Sequence, residues 1–215
     1  MNRHIIAEIQ SDIRQTQPLI HCITNPISIN QCANAILAVG GRPMMAEHPE
    51  EVAEITRTAH ALLLNLGNIT DIRMESIQIS AEAAVKADVP VILDAVGIAC
   101  CRLRRSFVHK LLSTLTPTLI KGNYSEIHAL YQDNYCSSGV DADASLDLTT
   151  VDHCAVALAQ ERNTMILASG KVDILTDGQR LIHIHNGTPQ LAAITGTGCM
   201  LGALCAAYLS ADRSL

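Results

Sequence analysis

Short apolar runs that alternate with longer helical segments constrain the fold of this chain more than any other feature. The strand-like runs lie at 19–23, 43–45, 62–66, 90–94, 118–121 and 164–168. Helical patterns occupy 5–15, 26–39, the segment from 48, 70–87, 102–115, 124–131, 149–161 and 201–209. This alternation predicts an α/β fold with a doubly wound, mostly parallel sheet and helices on both faces. Two further runs, 172–176 and 180–185, flank Asp177-Gly178 and predict an antiparallel edge hairpin.

Composition agrees with a buried parallel sheet and excludes some classes of partner. Hydrophobic residues make up 48% of the 215 residues but aromatic residues only 2%, so the core must be aliphatic. A net charge of −6 argues against nucleic-acid binding, and we find no apolar run of the ~18 residues that a membrane span needs. Eight cysteines without a CxxC motif, after an N-terminus that does not resemble a signal peptide, predict reduced thiols and a cytoplasmic protein.

The segment 194–200, Ile-Thr-Gly-Thr-Gly-Cys-Met, predicts an anion-binding turn before the last helix. Gly196 and Gly198 let the backbone turn tightly and direct successive N–H groups to one point, and the helix adds its positive end. Cys199 lies on the first helical turn, which favours its thiolate. Three roles remain open for it: a small packed residue, a nucleophile, or a polar group beside a reacting hydroxyl.

A cysteine nucleophile would need a histidine base within reach. The candidates in the sequence are His21, His48, His183 and His185, and none is linked to Cys199 by a motif. The pair His183-x-His185 also suggests metal ligands, but polar positions on an edge strand are the more common explanation of such spacing.

Polar residues gather after the predicted strands, where open α/β sheets bind their ligands. The residues that follow or end such a run are Asn25, Met45, Asp94 and Ser169, together with the segments 65–68 and 121–123. Methionine lines small apolar pockets well because its side chain is soft and adaptable. Several segments therefore converge on one edge of the sheet and predict a site for a small ligand with an apolar body.

Each polar residue at this edge has a structural and a functional interpretation. Asp94 either caps a turn or lies near a metal–phosphate complex, and Lys121 is either a surface lysine or a phosphate contact. Asn123 and Glu126 have capping-box spacing, yet Asn-x-x-Glu also directs an amide and a carboxylate toward a site. Ser169 belongs to a plain turn or offers its hydroxyl to a nucleotide phosphate. Mg²⁺ on phosphates takes one or two carboxylates, so Asp94 and Glu126 are candidate ligands, directly or through water.

Six motifs in this order resemble the hydroxyethylthiazole kinase family of thiamine biosynthesis, within the ribokinase-like superfamily. They are HCITN at 21–25, GRPMMA at 41–46, LNLG at 64–67, LDAVG at 93–97, KGNYSE at 121–126 and TGTGC at 195–199. The resemblance implies one kinase domain over 1–215 that transfers a phosphoryl group from ATP, with Mg²⁺, to the hydroxyl of 4-methyl-5-(2-hydroxyethyl)thiazole. It also implies a homotrimer with the thiazole near a subunit boundary.

The resemblance assigns roles to residues at matching positions. The residues that it places against the thiazole are Asn25, Met45, Gly196 and Cys199. Those that it places against ATP are Lys121, Asn123 and Ser169, and those that serve Mg²⁺ and phosphate are Asp94 and Glu126. The residues that it assigns to catalysis are Gly196, Gly198 and Cys199. Many relatives in the superfamily carry aspartate where this chain has Cys199, so we expect the thiol mainly to position the hydroxyl, with proton removal secondary.

The chain departs from the family pattern in two ways. Lys121 stands where the family usually has arginine, which keeps the charge but loses the bidentate fork. The chain ends at Leu215, before the further helices of the family, so we expect a shortened nucleotide side. The alternatives are a sister kinase for another small alcohol such as hydroxymethylpyrimidine, a thiazole-binding protein without turnover, and a hydrolase with a cysteine nucleophile.

Overall fold

One mostly parallel β-sheet forms the framework of the protein. The computed structural model describes residues 3–135 and 146–213. The strands are β1 Leu19–Ile23, β2 Arg42–Met44, β3 Ala61–Asn65, β4 Val91–Asp94, β5 Leu119–Asn123, β6 Met165–Ser169, β7 Asp173–Thr176 and β8 Leu181–Ile184. Within these residues their order in the sheet is β2-β1-β3-β4-β5-β6-β7-β8. The predicted α/β sheet with an antiparallel edge hairpin is confirmed.

Eight α-helices accompany these strands in the described part of the chain. They are α1 Arg3–Thr16, α2 Ile29–Val39, α3 Pro49–Thr58, α4 Asp71–Ala87, α5 Arg102–Leu112, α6 Tyr124–Tyr131, α7 Leu148–Arg162 and α8 Thr197–Leu209. Short 3-10 helices occur at Pro26–Ser28 and Pro189–Ala193. No helix among the described residues has the length and apolar character needed to cross a bilayer.

Two compact units divide the chain, Met1–Ile92 with Thr195–Ser214 and Leu93–Ile194. In the first unit, β1 lies between β2 and β3 and is parallel to both. Every residue of β3 is buried, as the continuous apolar run predicts for a central parallel strand. Helix α8 packs on α2 and on β3. Its buried face carries small residues, Gly202, Ala203, Ala206 and Ala207, which allow close packing of this kind.

The second unit carries the change of strand direction. Strand β6 pairs in parallel with β5 and antiparallel with β7, and β7 pairs antiparallel with β8. The predicted hairpin turn is confirmed, because Gly178 has φ +87° and Asp177 Oδ1 accepts the N–H groups of Gln179 and Arg180 at 3.0 and 2.7 Å. Helices α6 and α7 pack on each other in this unit, α6 against β5 and α7 against β6.

Local signals placed most element ends correctly, with a few differences. Gly40 ends α2 with φ +106°, as the Gly40-Gly41 pair predicts. The helix expected from 26 begins as the 3-10 helix Pro26–Ser28, and the helix expected to reach 115 ends at Leu112. The 3-10 helix Pro189–Ala193 was not predicted. Cys136 and most of the loop predicted at 133–147 lie outside the described residues. The described residues include seven cysteines, and all seven are free thiols.

His21 is a buried histidine of β1 that links this strand to two other segments. Its Nε2 lies 3.0 Å from the carbonyl oxygen of Ala46, which can only accept, so Nε2 carries the proton. Its Nδ1 lies 2.9 Å from Thr56 Oγ1 and accepts the hydroxyl proton. Burial lowers the pKa of His21, although the Ala46 carbonyl and Glu51 oppose the shift. The folded state therefore holds the neutral imidazole.

This arrangement predicts that the protein loses stability as the pH falls below about 6.5, the ordinary pKa of histidine. Below that value His21 binds a proton in the unfolded chain but not in the folded protein. The free energy of unfolding therefore rises with pH over this window. Urea unfolding at several pH values between 5 and 8 measures it. We expect a shallower pH dependence in His21→Gln, because glutamine does not take up this proton. Equal slopes in the wild type and His21→Gln would contradict the assignment.

Candidate active site

Asn25 follows β1 and has its side chain held by two neighbours. Asn25 Oδ1 accepts the N–H of Ile27 at 3.1 Å and so caps the 3-10 helix, as the Asn25-Pro26 pair predicts. The same oxygen accepts the side-chain amide of Asn68 at 3.4 Å. Both bonds use the oxygen, so within the described residues the Nδ2 group of Asn25 remains as a donor for a ligand.

Gly67 makes room for the Asn25 side chain. A Cβ at Gly67 would lie 2.7 Å from Asn25 Nδ2 and 2.9 Å from its Cβ, which is closer than such atoms approach. The N–H of Gly67 donates to Oδ1 of the fully buried Asn65 at 2.8 Å. The LNLG motif therefore forms a turn against which the Asn25 amide rests.

Gly196 forms the turn that begins α8, and it lies against the segment that follows Asn25. It adopts φ +88° and ψ 0°, the left-handed region that favours glycine. A Cβ at this position would lie 2.9 Å from Ser28 Cβ. The N–H and the hydroxyl of Ser28 both donate to the carbonyl oxygen of Asn25, at 2.9 and 3.1 Å. The structure thus brings the Gly196 turn next to the Asn25 segment.

Gly198 and Cys199 occupy the first turn of α8. The prediction that both glycines shape the turn applies to Gly196, whereas Gly198 is an exposed residue inside the helix. The N–H of Met200 donates to the carbonyl oxygen of Gly196 at 2.9 Å, and the N–H groups at the start of an α-helix in general lack partners within the helix itself. Cys199 is buried on this turn. The geometry favours an anion, because N–H groups and the helix dipole share one direction.

Met45 follows β2 in a half-buried segment that two hydrogen bonds fix. His21 Nε2 donates to the Ala46 carbonyl, and Ser76 Oγ donates to that of Glu47 at 2.7 Å. His48 next caps α3, its Nδ1 accepting the N–H of Glu50 at 3.2 Å. His21 and His48 thus both have structural partners, while His183 bonds Asp152 at 2.8 Å. None of these contacts links a histidine to Cys199.

In the second unit, Lys121 and Asp94 form a buried ion pair. Lys121 Nζ lies 2.9 Å from Asp94 Oδ1, and the two side chains are only 4% and 0% exposed. The carbonyl oxygen of Lys121 also accepts the N–H of Ala95 at 2.8 Å. The interpretation of Lys121 as a surface lysine is therefore wrong. The pair joins the end of β4 to the middle of β5, and the sequence analysis did not foresee it.

Glu126 closes the capping box of α6 and reaches a third backbone group. Its N–H donates to Asn123 Oδ1 at 2.9 Å, and its Oε2 accepts the N–H of Asn123 at 2.7 Å. Its Oε1 accepts the N–H of Gly97 at 2.7 Å, a contact that the sequence analysis missed. Burial raises the pKa of Glu126 to about 7, while the Gly97 N–H and Lys121 oppose the rise. Burial therefore disfavours the ionised carboxylate, while the two backbone N–H groups that it accepts favour it.

Ser169 ends β6 directly opposite Asn123 in the register of the sheet. Its hydroxyl donates to the carbonyl oxygen of Gly122 at 3.3 Å. The next residue, Gly170, donates its N–H to Asp173 Oδ1 at 2.9 Å, and a Cβ there would lie 2.5 Å from the Tyr124 ring. Lys121, Asn123 and Ser169 thus lie together on two adjacent parallel strands, at or near their carboxyl ends.

The carboxylates of this unit suit Mg²⁺ through water better than by direct coordination. Oxygen is the donor that Mg²⁺ prefers, and on phosphates the ion keeps several waters. Glu126 uses both oxygens for backbone N–H groups, and one oxygen of Asp94 is paired with Lys121. The described residues contain no cluster of three or more ligand side chains. A water-mediated role for Asp94 and Glu126 fits this donor set.

Comparison with known proteins identifies the family of the chain. The sequence model of the hydroxyethylthiazole kinase family matches residues 10–214. The chain belongs to the hydroxyethylthiazole kinase family. It is 44% identical to "Hydroxyethylthiazole kinase 2" of Clostridium botulinum strain Hall, over 97% of this chain and 80% of that protein. It is 42% identical to "Hydroxyethylthiazole kinase" of Finegoldia magna, over 97% of this chain and 77% of that protein.

Solved structures agree with this membership. The structure of a hydroxyethylthiazole kinase protein from Pyrococcus horikoshii OT3 superimposes with a TM-score of 0.86 and 32% identity, covering 96% of this chain and 77% of that one. A ribokinase-like superfamily protein from Enterococcus faecalis V583 superimposes with a TM-score of 0.63 at 10% identity, covering 89% and 70%. The second likeness concerns the fold alone, and it confirms the ribokinase-like architecture of this family member.

Proposed function

We propose that this chain phosphorylates the hydroxyl of 4-methyl-5-(2-hydroxyethyl)thiazole with ATP, a step of thiamine biosynthesis or salvage. Family membership supports the kinase activity and the acceptor. The structural observation that carries the proposal is the Gly196 turn packed against Ser28, beside Asn25. This contact supports the proposal, because an anion-binding helix start beside an amide donor suits transfer of a phosphoryl group to a bound alcohol.

At the proposed thiazole site, each contact follows from the chemistry of the side chain concerned. The free amide donor of Asn25 binds a polar atom of the thiazole, and Met45 packs on its apolar body. Cys199 positions the hydroxyl. Removal of the hydroxyl proton by Cys199 is secondary to this positioning.

Charge stabilisation comes from the start of α8. The N–H groups at the start of α8 donate to the transferring phosphoryl group, and one preorganised donor of this kind lowers the barrier by about 3 kcal/mol. On the nucleotide side, Lys121, Asn123 and Ser169 bind the phosphates of ATP. Asp94 and Glu126 would hold Mg²⁺ through water, and the ion would neutralise charge on the phosphates. We further propose a cytoplasmic homotrimer, which the free thiols and the resemblance to the family support.

A coupled assay of ADP release tests the function directly. We expect release with ATP, Mg²⁺ and the thiazole alcohol, and no comparable release with hydroxymethylpyrimidine in its place. Turnover with the pyrimidine alone would assign the chain to a sister kinase. Calorimetry that shows thiazole binding, with no nucleotide binding and no turnover at high Mg²⁺, would reduce it to a binding protein.

The proposed metal role of Glu126 predicts a changed Mg²⁺ requirement. Glu126→Gln removes the negative charge while keeping the length of the side chain, so half-maximal activity should need several times more Mg²⁺. Titration of ADP release against Mg²⁺ at saturating ATP measures the shift. The matched control is Glu51→Gln, since Glu51 closes the capping box of α3 by accepting the His48 N–H at 3.3 Å. An unchanged titration for Glu126→Gln would remove this residue from the metal assignment.

A further inference from the structure

Arg73 is a buried arginine that reaches the three loops of the proposed acceptor site. It lies in the first turn of α4 and is only 3% exposed. Its Nη2 donates to the carbonyl oxygen of Thr24, which follows β1, and its Nη1 to that of Asn68, which follows β3, at 3.5 Å. Its Nε lies 3.6 Å from a carboxylate oxygen of Glu47, which follows β2. One guanidinium therefore ties together the loops after three neighbouring strands.

Asn68 extends this connection to the side chain of Asn25. Its backbone has φ +52°, a left-handed conformation, and Arg73 holds its carbonyl oxygen. From that position its side-chain amide donates to Asn25 Oδ1. Thr24, the other carbonyl bound by Arg73, directly precedes Asn25. Arg73 thus fixes both the backbone and the amide orientation of Asn25.

Packing alone does not call for an arginine at this position. Burial lowers the pKa of Arg73, while the charge of Glu47 opposes that shift. Within the described residues its Nε has no hydrogen-bond partner, which adds to the unfavourable free energy of burying the group. An apolar side chain of similar volume would avoid this desolvation. What the guanidinium adds is a rigid fork that sets the spacing of two carbonyl groups.

We propose that Arg73 is a positioning residue for the acceptor alcohol, which acts by fixing Asn25 through Thr24 and Asn68. The inference rests on the proposed function, because it assumes that Asn25 binds the thiazole. It predicts weaker binding of the acceptor alcohol and unchanged binding of the nucleotide when Arg73 is replaced. Loss of the guanidinium should raise the KM for the thiazole, because Asn25 then samples orientations that do not bind, and should leave the KM for ATP unchanged.

Steady-state kinetics of the full chain with both substrates test this role. Arg73→Lys keeps the charge but cannot hold both carbonyl groups, and we expect about a tenfold rise in the KM for the thiazole, as for loss of a hydrogen bond to a charged group. Asn68→Gly removes only the side-chain bond to Asn25, since glycine adopts φ +52° without strain. It should raise the same KM, and the double variant should raise it no further than Arg73→Lys alone.

Arg42→Lys is the matched control, because the Nε of exposed Arg42 also donates to a backbone carbonyl, that of Gln17 at 2.7 Å. It should leave both KM values unchanged. Should Arg73→Lys fail to fold, Asn68→Gly tests the last step of the same path, the bond from Asn68 to Asn25, and an unchanged thiazole KM in that variant would refute the path. An unchanged thiazole KM, or equal rises in both KM values, would refute the role of Arg73 while leaving the kinase function intact. A wild-type chain without thiazole turnover would refute both.

Discussion

Gly196→Ala is expected to abolish nearly all thiazole-dependent ADP release and to lower the free energy of unfolding by about 2 kcal/mol, as for a side chain forced into the left-handed region. Two features of the structure give this result. The backbone at Gly196 has φ +88°, and a Cβ there would approach Ser28 Cβ to 2.9 Å. The turn would have to shift to relieve the backbone strain and the contact with Ser28. Such a shift would displace the N–H groups proposed to bind the phosphoryl group. Chemical denaturation and the ADP assay measure the two effects.

A matched glycine separates loss of stability from loss of function. Gly178 in the β7–β8 turn has φ +87°, and a Cβ there would lie 2.8 Å from Gln160 Cγ. Gly178→Ala should therefore destabilise the protein to a similar degree but retain activity per folded molecule. In Gly196→Ala/Ser28→Gly the contact is relieved, so stability should partly return while activity does not. A double variant with nearly wild-type kcat would show that Gly196 serves only to pack on Ser28.

The features that sequence analysis predicted well depend on neighbours close along the chain. Strand and helix periodicity, the Gly40 cap and the capping box between Asn123 and Glu126 all involve residues a few positions apart. Their physical cause is local backbone geometry, so a single sequence contains the signal. The same holds for the positive φ at Gly196, which the spacing of glycine before an apolar helix indicates.

The contacts that sequence analysis missed join residues far apart along the chain. Arg73 bonds Thr24 across 49 positions, Glu126 bonds Gly97 across 29, and Lys121 meets Asp94 across 27. No periodicity encodes which side chains meet when strands are paired and helices packed. The sequence analysis expected these polar residues near strand ends, but which side chains meet there depends on strand order and register. Lys121 shows the consequence, since a lysine at the end of an apolar run left a surface position open beside the favoured phosphate contact.

Asp94→Asn is expected to lower the free energy of unfolding by about 3 to 5 kcal/mol, because it leaves the Lys121 ammonium buried without its carboxylate. Asp88→Asn is the matched control. Asp88 pairs with Arg213 at 3.1 Å with both side chains at least half exposed, so its loss should cost about 1 kcal/mol or less. Urea unfolding of both variants at pH 7 makes the comparison, and equal small losses would show that the buried pair does not contribute in solution.

The double variant Asp94→Asn/Lys121→Met separates the structural role of the pair from its proposed role in binding ATP. It buries no unpaired charge, so most of the stability lost in Asp94→Asn should return, as happens when apolar or neutral groups replace a buried ion pair. Phosphoryl transfer should not return, since neither the cation proposed for the ATP phosphates nor the carboxylate proposed for Mg²⁺ is present. A stable double variant with an unchanged KM for ATP would place the nucleotide away from the ends of β4 and β5. A stable double variant that binds ATP weakly would instead show that the buried pair both stabilises the folded state and contributes to nucleotide binding.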